Sequence, residues 1–144
     1  MLLLNRLFAE NGVGKSTLLK LLVGALEPTS GTIHINGINL ATLPTQAKRE
    51  LGFIPDRPMV YPGMYREDLL ELVSKVKGTD YPEASKLIVE RLRLAPFTNK
   101  RFDSTSLGTQ KKFFLVAGLL GSPRILILDE PTNAIDRNVQ NELA

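Results

Sequence analysis

The stretch FAENGVGKSTLLK, residues 8–20, has the form of a phosphate-binding loop that runs into a helix. Gly12 and Gly14 let the backbone approach an anion closely and turn several N–H groups inward. The positive end of the following helix attracts an anion further. A glycine-rich turn that happens to precede a lysine and a serine is the plain alternative. The strand, loop and helix context favours the phosphate site.

The loop also supplies side chains for a bound nucleotide. We expect Lys15 to reach the outer phosphates and the hydroxyl of Ser16 to bind Mg²⁺. Ala9 stands where the strict pattern has glycine, which costs about 1–2 kcal/mol if that position needs left-handed backbone, so binding is weakened at most. The predicted nucleotide-binding residues of the loop are Asn11, Gly12, Val13, Gly14, Lys15, Ser16 and Thr17.

The loop lies between a predicted strand and a predicted helix. Apolar residues 2–8 predict a buried strand, and leucines at helical spacing from Thr17 predict a helix with Gly24 near its end. Residues 29–40 then predict two short strands joined by the turn at 36–37, Asn-Gly. The single histidine, His34, is expected on the polar face of this hairpin.

The rest of the chain continues the alternation of strands and helices. LGFIP from Leu51 predicts a strand, residues 65–76 and 81–92 predict amphipathic helices, and residues 109–120 predict a further helix. The apolar run in RILILDE, residues 124–130, suits a strand buried on both faces of a parallel sheet. The sequence therefore predicts an α/β layer with a helical insertion at about residues 57–108.

The end of that last strand carries a pair of carboxylates. Asp129 is placed to hold Mg²⁺ through a water, and Glu130 to polarise the water that attacks the γ-phosphate. An N-cap before Pro131 is the alternative for an isolated pair. Because a phosphate loop precedes it in the same chain, the catalytic interpretation is favoured, with Glu130 and Lys15 as catalytic residues.

Composition excludes several classes of protein. The 144 residues are 43% hydrophobic, which suits a single globular unit. There are 18 basic and 15 acidic residues, and the basic ones are scattered apart from the pair Lys111 and Lys112, so the net charge of +3 does not indicate a nucleic-acid partner. The absence of cysteine excludes disulfides and thiolate metal sites and fits a cytoplasmic setting. No apolar run approaches the roughly 18 residues that cross a bilayer.

Four segments in order carry a resemblance to a known family: NGVGKST (11–17), LGFIPDRP (51–58), TSLGTQKK (105–112) and ILILDEPTNAID (125–136). This order resembles the ATP-binding subunits of ABC transporters over nearly the whole chain, and the last two segments are the most specific. The resemblance implies a P-loop NTPase (RecA-like) fold, one domain over 1–144 with the helical subdomain inserted, and an insertion of the bacterial exporter type.

The resemblance also implies cofactors, partners and location. ATP and Mg²⁺ would be bound, and Ser106 and Gly108 would contact the γ-phosphate held by a second ATP-binding subunit in a head-to-tail dimer. Residues 133–136 would cross that interface, and the helical insertion would meet a membrane-spanning transporter subunit. The chain would then be cytoplasmic and peripheral on the inner face of the cell membrane.

Departures from the family pattern leave two functions open. Asp56 replaces a glutamine; it can offer Mg²⁺ an oxygen but brings negative charge toward the phosphates. Leu107 replaces a glycine of the signature segment. The adenine-stacking aromatic and the histidine that senses the γ-phosphate are not found, which predicts a chain shortened at both ends. The chain is thus expected to be an ATP-hydrolysing transporter subunit or, alternatively, a module that binds but barely hydrolyses ATP.

Overall fold

The described part of the fold is organised around a pair of parallel strands. The computed structural model describes residues 14–57, 59–61 and 63–129. Strand β3 (Leu51–Ile54) pairs in parallel with β4 (Ile125–Leu128), with Leu51 opposite Ile125 and Ile54 opposite Leu128. Parallel neighbours so far apart in sequence need a crossover connection, as the predicted α/β layer requires. The strand predicted at residues 2–8 lies outside the described residues.

Helix α1 spans Lys15–Leu22 and begins directly after Gly14. Gly14 has φ of 91°, a left-handed conformation that costs glycine little, and its carbonyl accepts the first helical hydrogen bond from Leu18 N–H at 2.9 Å. The helix therefore starts two residues before the predicted start at Thr17. Gly24, with φ of 67°, follows its end as predicted.

A hairpin and a short helix follow α1. Strands β1 (His34–Ile35) and β2 (Ile38–Asn39) are antiparallel, and the predicted turn residues Asn36 and Gly37 both have positive φ. His34 is exposed, as expected. Helix α2 (Pro44–Arg49) was not predicted, although a proline in the first turn is a helix-start signal.

Three longer helices complete the described chain. Helix α3 spans Arg66–Lys77, α4 spans Glu83–Arg91 and α5 spans Leu107–Leu119. Short 3₁₀ turns lie at Ala95–Phe97 and Phe102–Ser104. All three helices lie within two residues of their predicted bounds. The division into an inserted helical subdomain stays a prediction.

Helix α5 packs its backbone directly on β3. A Cβ atom on Gly52 would lie 2.1 Å from the backbone oxygen of Gly118, so the strand has no room for a side chain at the crossing, and a Cβ atom on Gly118 would lie 3.1 Å from Cδ1 of Ile54. Around this contact lies the larger of two apolar clusters. Its buried members are Ile54, Leu70, Val89, Leu92, Leu94, Phe102, Phe113, Leu115, Val116, Ala117, Leu120 and Leu126.

Strand β4 contributes to both apolar clusters. Leu126 and Leu128 pack with the larger cluster, whereas Ile125 and Ile127 pack with the smaller one. The buried members of the smaller cluster are Ile35, Leu40, Ala47 and Leu51. Both faces of β4 are therefore covered, as predicted for a strand of a parallel sheet, although only Leu126 is buried and the other three residues are half-buried. The hairpin and α2 contribute residues to this smaller cluster, which covers the face of β4 that carries Ile125 and Ile127.

Lys77 joins α3 to α2 and β3. Its ammonium donates to the carbonyls of Lys48 at 2.7 Å and Arg49 at 3.3 Å, and also to that of Leu51. Carbonyls at the end of a helix lack helical partners and carry partial negative charge, so a lysine suits this place. Burial lowers the pKa of Lys77, and the nearby carboxylate of Glu50 partly offsets that effect.

None of the helices in the described ranges is long and apolar enough to cross a membrane.

The contact between Gly52 and Gly118 yields a stability prediction. Gly52→Ala should lower the free energy of unfolding by about 1–3 kcal/mol, because the added methyl group meets backbone that cannot move aside without shifting α5. Gly108→Ala is the matched control, since nothing lies within 4 Å of its Cβ position in the first turn of α5. Urea unfolding followed by circular dichroism measures both. Equal midpoints for the two variants would contradict this packing.

Candidate functional site

A cleft of about 390 Å³ lies between α1 and the carboxyl ends of β3 and β4. It brings together Ser16, Asp56 and Asp129, the three residues predicted from the sequence to bind a metal. The full lining is Ser16, Leu19, Lys20, Val23, Ala25, Phe53, Pro55, Asp56, Arg57 and Asp129. The predicted site residues Asn11, Gly12, Val13 and Glu130 lie outside the described residues, as do Ala9 and 133–136.

Strand pairing explains why two aspartates meet in this cleft. The register pairs Ile54 with Leu128, and Asp129 N–H donates to the carbonyl of Ile54 at 2.9 Å. Asp129 thus follows β4 directly, and Asp56 follows β3 after one intervening residue. Because both strands run in the same direction, their carboxyl ends share one edge of the sheet, the edge where α/β sheets bind ligands.

Helix α1 provides the opposite wall. Ser16, Leu19, Lys20 and Val23 all line the cleft, and their spacing places them on one helical face. Ser16 stands in the first turn, where backbone N–H groups lack helical acceptors. The start of α1 therefore offers a hydroxyl and a positive helix end beside two carboxylates. Lys15 is half-buried at this start, and Thr17 is exposed.

The oxygen donors of the cleft fit Mg²⁺. One hydroxyl and two carboxylates are hard ligands, and Mg²⁺ in nucleotide sites usually takes one or two protein carboxylates together with phosphates and waters. The described ranges contain no group of three or more His, Cys, Asp or Glu side chains that could hold a metal without such help. The donor set therefore suits a metal that arrives with a phosphate ligand.

The negative charge of Asp56 in the cleft is compensated by a lysine. From the replacement of a glutamine by Asp56, we expected negative charge facing the phosphates without a partner. Its Oδ1 accepts a hydrogen bond from Lys111 Nζ at 3.1 Å. The side chain of Lys111 is only 4% exposed, whereas that of Asp56 is 34% exposed. The sequence shows Lys111 only as one of two adjacent lysines; its position four residues before buried Leu115 on α5 was the available signal of burial.

Ser106 caps α5, which corrects the predicted start of this helix. Its Oγ accepts from Thr109 N–H at 3.3 Å, and α5 begins at Leu107 instead of Thr109. Gly108 consequently lies within the first turn of the helix. Ser106, Leu107 and Gly108 are exposed and do not line the cleft described above. Their contact with a second subunit stays a prediction.

Arg66, which the sequence analysis missed, supports the segment before this cap. Its guanidinium carbon lies 5.4 Å from the ring centres of both Phe102 and Phe113, and it donates to the carbonyl of Phe97 at 3.1 Å and to Thr105 Oγ1. Arg66 is fully buried. Burial lowers its pKa, and Asp103 partly offsets that shift. The aromatic faces replace part of the lost hydration of the cation.

Gln110 adds two further hydrogen bonds to the same segment. Its Nε2 donates to the carbonyls of Phe102 at 2.8 Å and Thr105 at 3.2 Å. Arg66 and Gln110 therefore hold the segment that leads into Ser106 from two sides.

Comparison with known proteins gives a consistent family likeness. A family sequence model described as ABC transporter matches residues 5–133. The chain is 32% identical over 140 residues to the molybdate/tungstate import ATP-binding protein WtpC of Methanocaldococcus jannaschii, covering 95% of this chain and 47% of that protein. It is 34% identical over 127 residues to the bacitracin transport ATP-binding protein BcrA of Bacillus licheniformis, covering 88% and 42%. The chain spans about half the length of these relatives.

Solved structures agree with the fold. The structure of an ATP-binding subunit of an ABC transporter matches with a TM-score of 0.82 and 31% identity, over 93% of this chain and 57% of that one. A putative ABC transporter ATP-binding protein from Pyrococcus furiosus matches with a TM-score of 0.69 and 29% identity, over 93% and 65%. The α/β P-loop NTPase fold predicted from the sequence is confirmed by these neighbours.

Proposed function

Because this chain belongs to the ABC transporter family, we propose that it binds Mg-ATP in the cleft between α1 and the ends of β3 and β4, and that ATP hydrolysis there powers transport. The observation that carries the proposal is the meeting of Ser16, Asp56 and Asp129 in one cleft beside the N-terminal end of a helix. These groups come from three separate segments of the chain, and the fold brings them to one cleft beside the phosphate loop.

Each residue has a distinct part in the proposed site. Lys15 and the start of α1 attract the outer phosphates. Ser16 and Asp129 hold Mg²⁺, with Asp56 contributing an oxygen, and the bound ion offsets charge on the phosphates as they transfer. Glu130 orients the attacking water.

The alternative of a module that binds but barely hydrolyses ATP requires the same cleft without effective water activation. Phosphate release by a Glu130→Gln variant, compared with the unchanged protein, decides between the two.

We propose that the exposed start of α5 completes the ATP site of a second subunit. Ser106 and Gly108 stand at a helix N-terminus, where backbone N–H groups and the helix dipole favour a phosphate. Two such chains would pair about a two-fold axis with two ATP molecules in the interface.

A membrane-spanning transporter subunit would meet the 57–108 region at the cytoplasmic face. Exposed apolar Met59 and Tyr61 support such a contact, and cross-linking from position 61 in the assembled transporter tests it.

Loss of Lys15 tests ATP binding in the cleft. Lys15→Ala should weaken ATP binding by roughly tenfold to a hundredfold, the usual effect of losing hydrogen bonds from one charged group. Lys75→Ala is the matched control, because Lys75 is exposed on α3 and pairs with Glu71 away from the cleft. Isothermal titration with Mg-ATP measures both affinities. Equal affinity for the two variants would contradict the proposed site.

Two substitutions of Ser106 separate its capping role from a phosphate contact. Ser106→Ala should lower stability by about 1 kcal/mol and Ser106→Gly by only a few tenths, since glycine is tolerated at an N-cap. Both remove the hydroxyl, so both should lose ATP-dependent dimerisation, measured by sedimentation in a Glu130→Gln background. A glycine variant that dimerises like its parent would show that the hydroxyl makes no contact with ATP.

A further inference from the structure

We propose that Lys111 is a positioning residue that compensates the charge of Asp56 at the cleft, so that anionic phosphates can enter beside this aspartate without net repulsion. This inference rests on the proposed ATP site. It assigns a function to a buried lysine that lies on α5, outside the phosphate loop and outside the cleft lining.

The geometry places Lys111 behind Asp56. Lys111 Nζ lies 3.1 Å from Oδ1 of Asp56, and its side chain is 4% exposed, so it approaches from the protein interior. Asp56 itself lines the cleft and remains 34% exposed. Its second oxygen lies 3.9 Å from Arg57 Nε, on a side chain that is 92% exposed. Asp56 is therefore held between a buried cation and a solvated one.

Of the two cations beside Asp56, Lys111 compensates its charge more than Arg57 does, because Lys111 is buried. An ion pair with an exposed arginine is screened by water and salt and contributes little. The field of a buried ammonium is screened much less, so it reaches the cleft as well as Asp56. Among the described residues, Asp56 is the only carboxylate within 4 Å of Lys111 Nζ. The two charges thus form one nearly neutral unit at the edge of the cleft.

If Lys111 compensates the charge of Asp56, then Asp56→Asn and Lys111→Met should differ in their effects on stability and on anion binding. Asp56→Asn leaves a buried cation without its carboxylate, which is a costly arrangement in a folded protein. Lys111→Met instead leaves a partly exposed carboxylate whose charge water can solvate. That carboxylate then repels phosphate in the cleft. The first change should mainly affect stability, and the second should mainly affect the binding of anions.

Binding of ATP by the purified protein, with and without metal, provides the test. Affinities for ATP in EDTA and for Mg-ATP are measured by isothermal titration for Lys111→Met, Asp56→Asn, the double variant and the unchanged protein. Lys111→Met should weaken metal-free ATP binding by about tenfold and Mg-ATP binding by less, because Mg²⁺ offsets the exposed charge. For ATP in EDTA, where no metal is held by Asp56, the double variant should return to within about threefold of the unchanged protein, since both charges are gone.

The controls separate this effect from general damage. Lys112→Met removes the adjacent lysine of α5 and should leave both affinities unchanged. In thermal melts without ligand, Asp56→Asn should lower the midpoint more than the double variant does, which tests the pair even if Lys111→Met folds poorly.

Different failures have different meanings. A double variant that binds ATP in EDTA as weakly as Lys111→Met, or equal losses for Lys111→Met with and without Mg²⁺, would overturn the role of Lys111 while leaving the ATP site intact. Failure of the unchanged protein to bind ATP at all would overturn both the site and this inference.

Discussion

The close contact between the backbone of α5 and β3 is the constraint on which the described structure depends. Because Gly118 meets Gly52 at one end and Lys111 meets Asp56 at the other, α5 runs antiparallel to β3 along its length. The N-terminal half of α5 therefore lies beside the carboxyl edge of the sheet. The same packing fixes the core around Phe113 and places a lysine beneath the cleft.

Charge at that edge follows from the strand register and the helix packing together. Parallel pairing brings Asp129 and Asp56 to one side, which would concentrate negative charge where an anionic ligand is proposed to bind. The start of α1 and the buried ammonium of Lys111 supply positive charge near the same edge. A carboxylate at position 56 is thus compatible with a phosphate site in this chain, because α5 carries its counter-ion.

Local signals in the sequence were enough to predict much of the fold. The Asn36-Gly37 turn, the apolar run before Asp129 and the glycine at position 14 before α1 each specify backbone geometry within a few residues. Helix α2 escaped prediction because its six residues are too short to show a period and it is stabilised by burial of Ala47.

The sequence predicted that Ser16, Asp56 and Asp129 belong to one site, and all three line one cleft, but it did not indicate the buried residues that support this region. Ser16 and Asp129 stand in patterns that need those residue types at those positions. Lys111 and Arg66 carry no such pattern, since a lysine and an arginine on helices are usually solvated. Their burial arises only when α5 packs against β3 and α3, with Phe102 and Phe113 closing around Arg66. The position of α5's start likewise depended on whether Ser106 or a later residue caps it.

A crystal structure of the protein with Mg²⁺ and a non-hydrolysable ATP analogue tests the central claim most directly. We expect the phosphates to lie at the start of α1, with the metal about 2.0–2.1 Å from Ser16 Oγ and with Asp129 bonded to the metal or one water away. Lys111 Nζ should remain within hydrogen-bond distance of Asp56. Phosphates bound away from α1, or a metal that contacts neither Ser16 nor Asp129, would show that this cleft is not the ATP site.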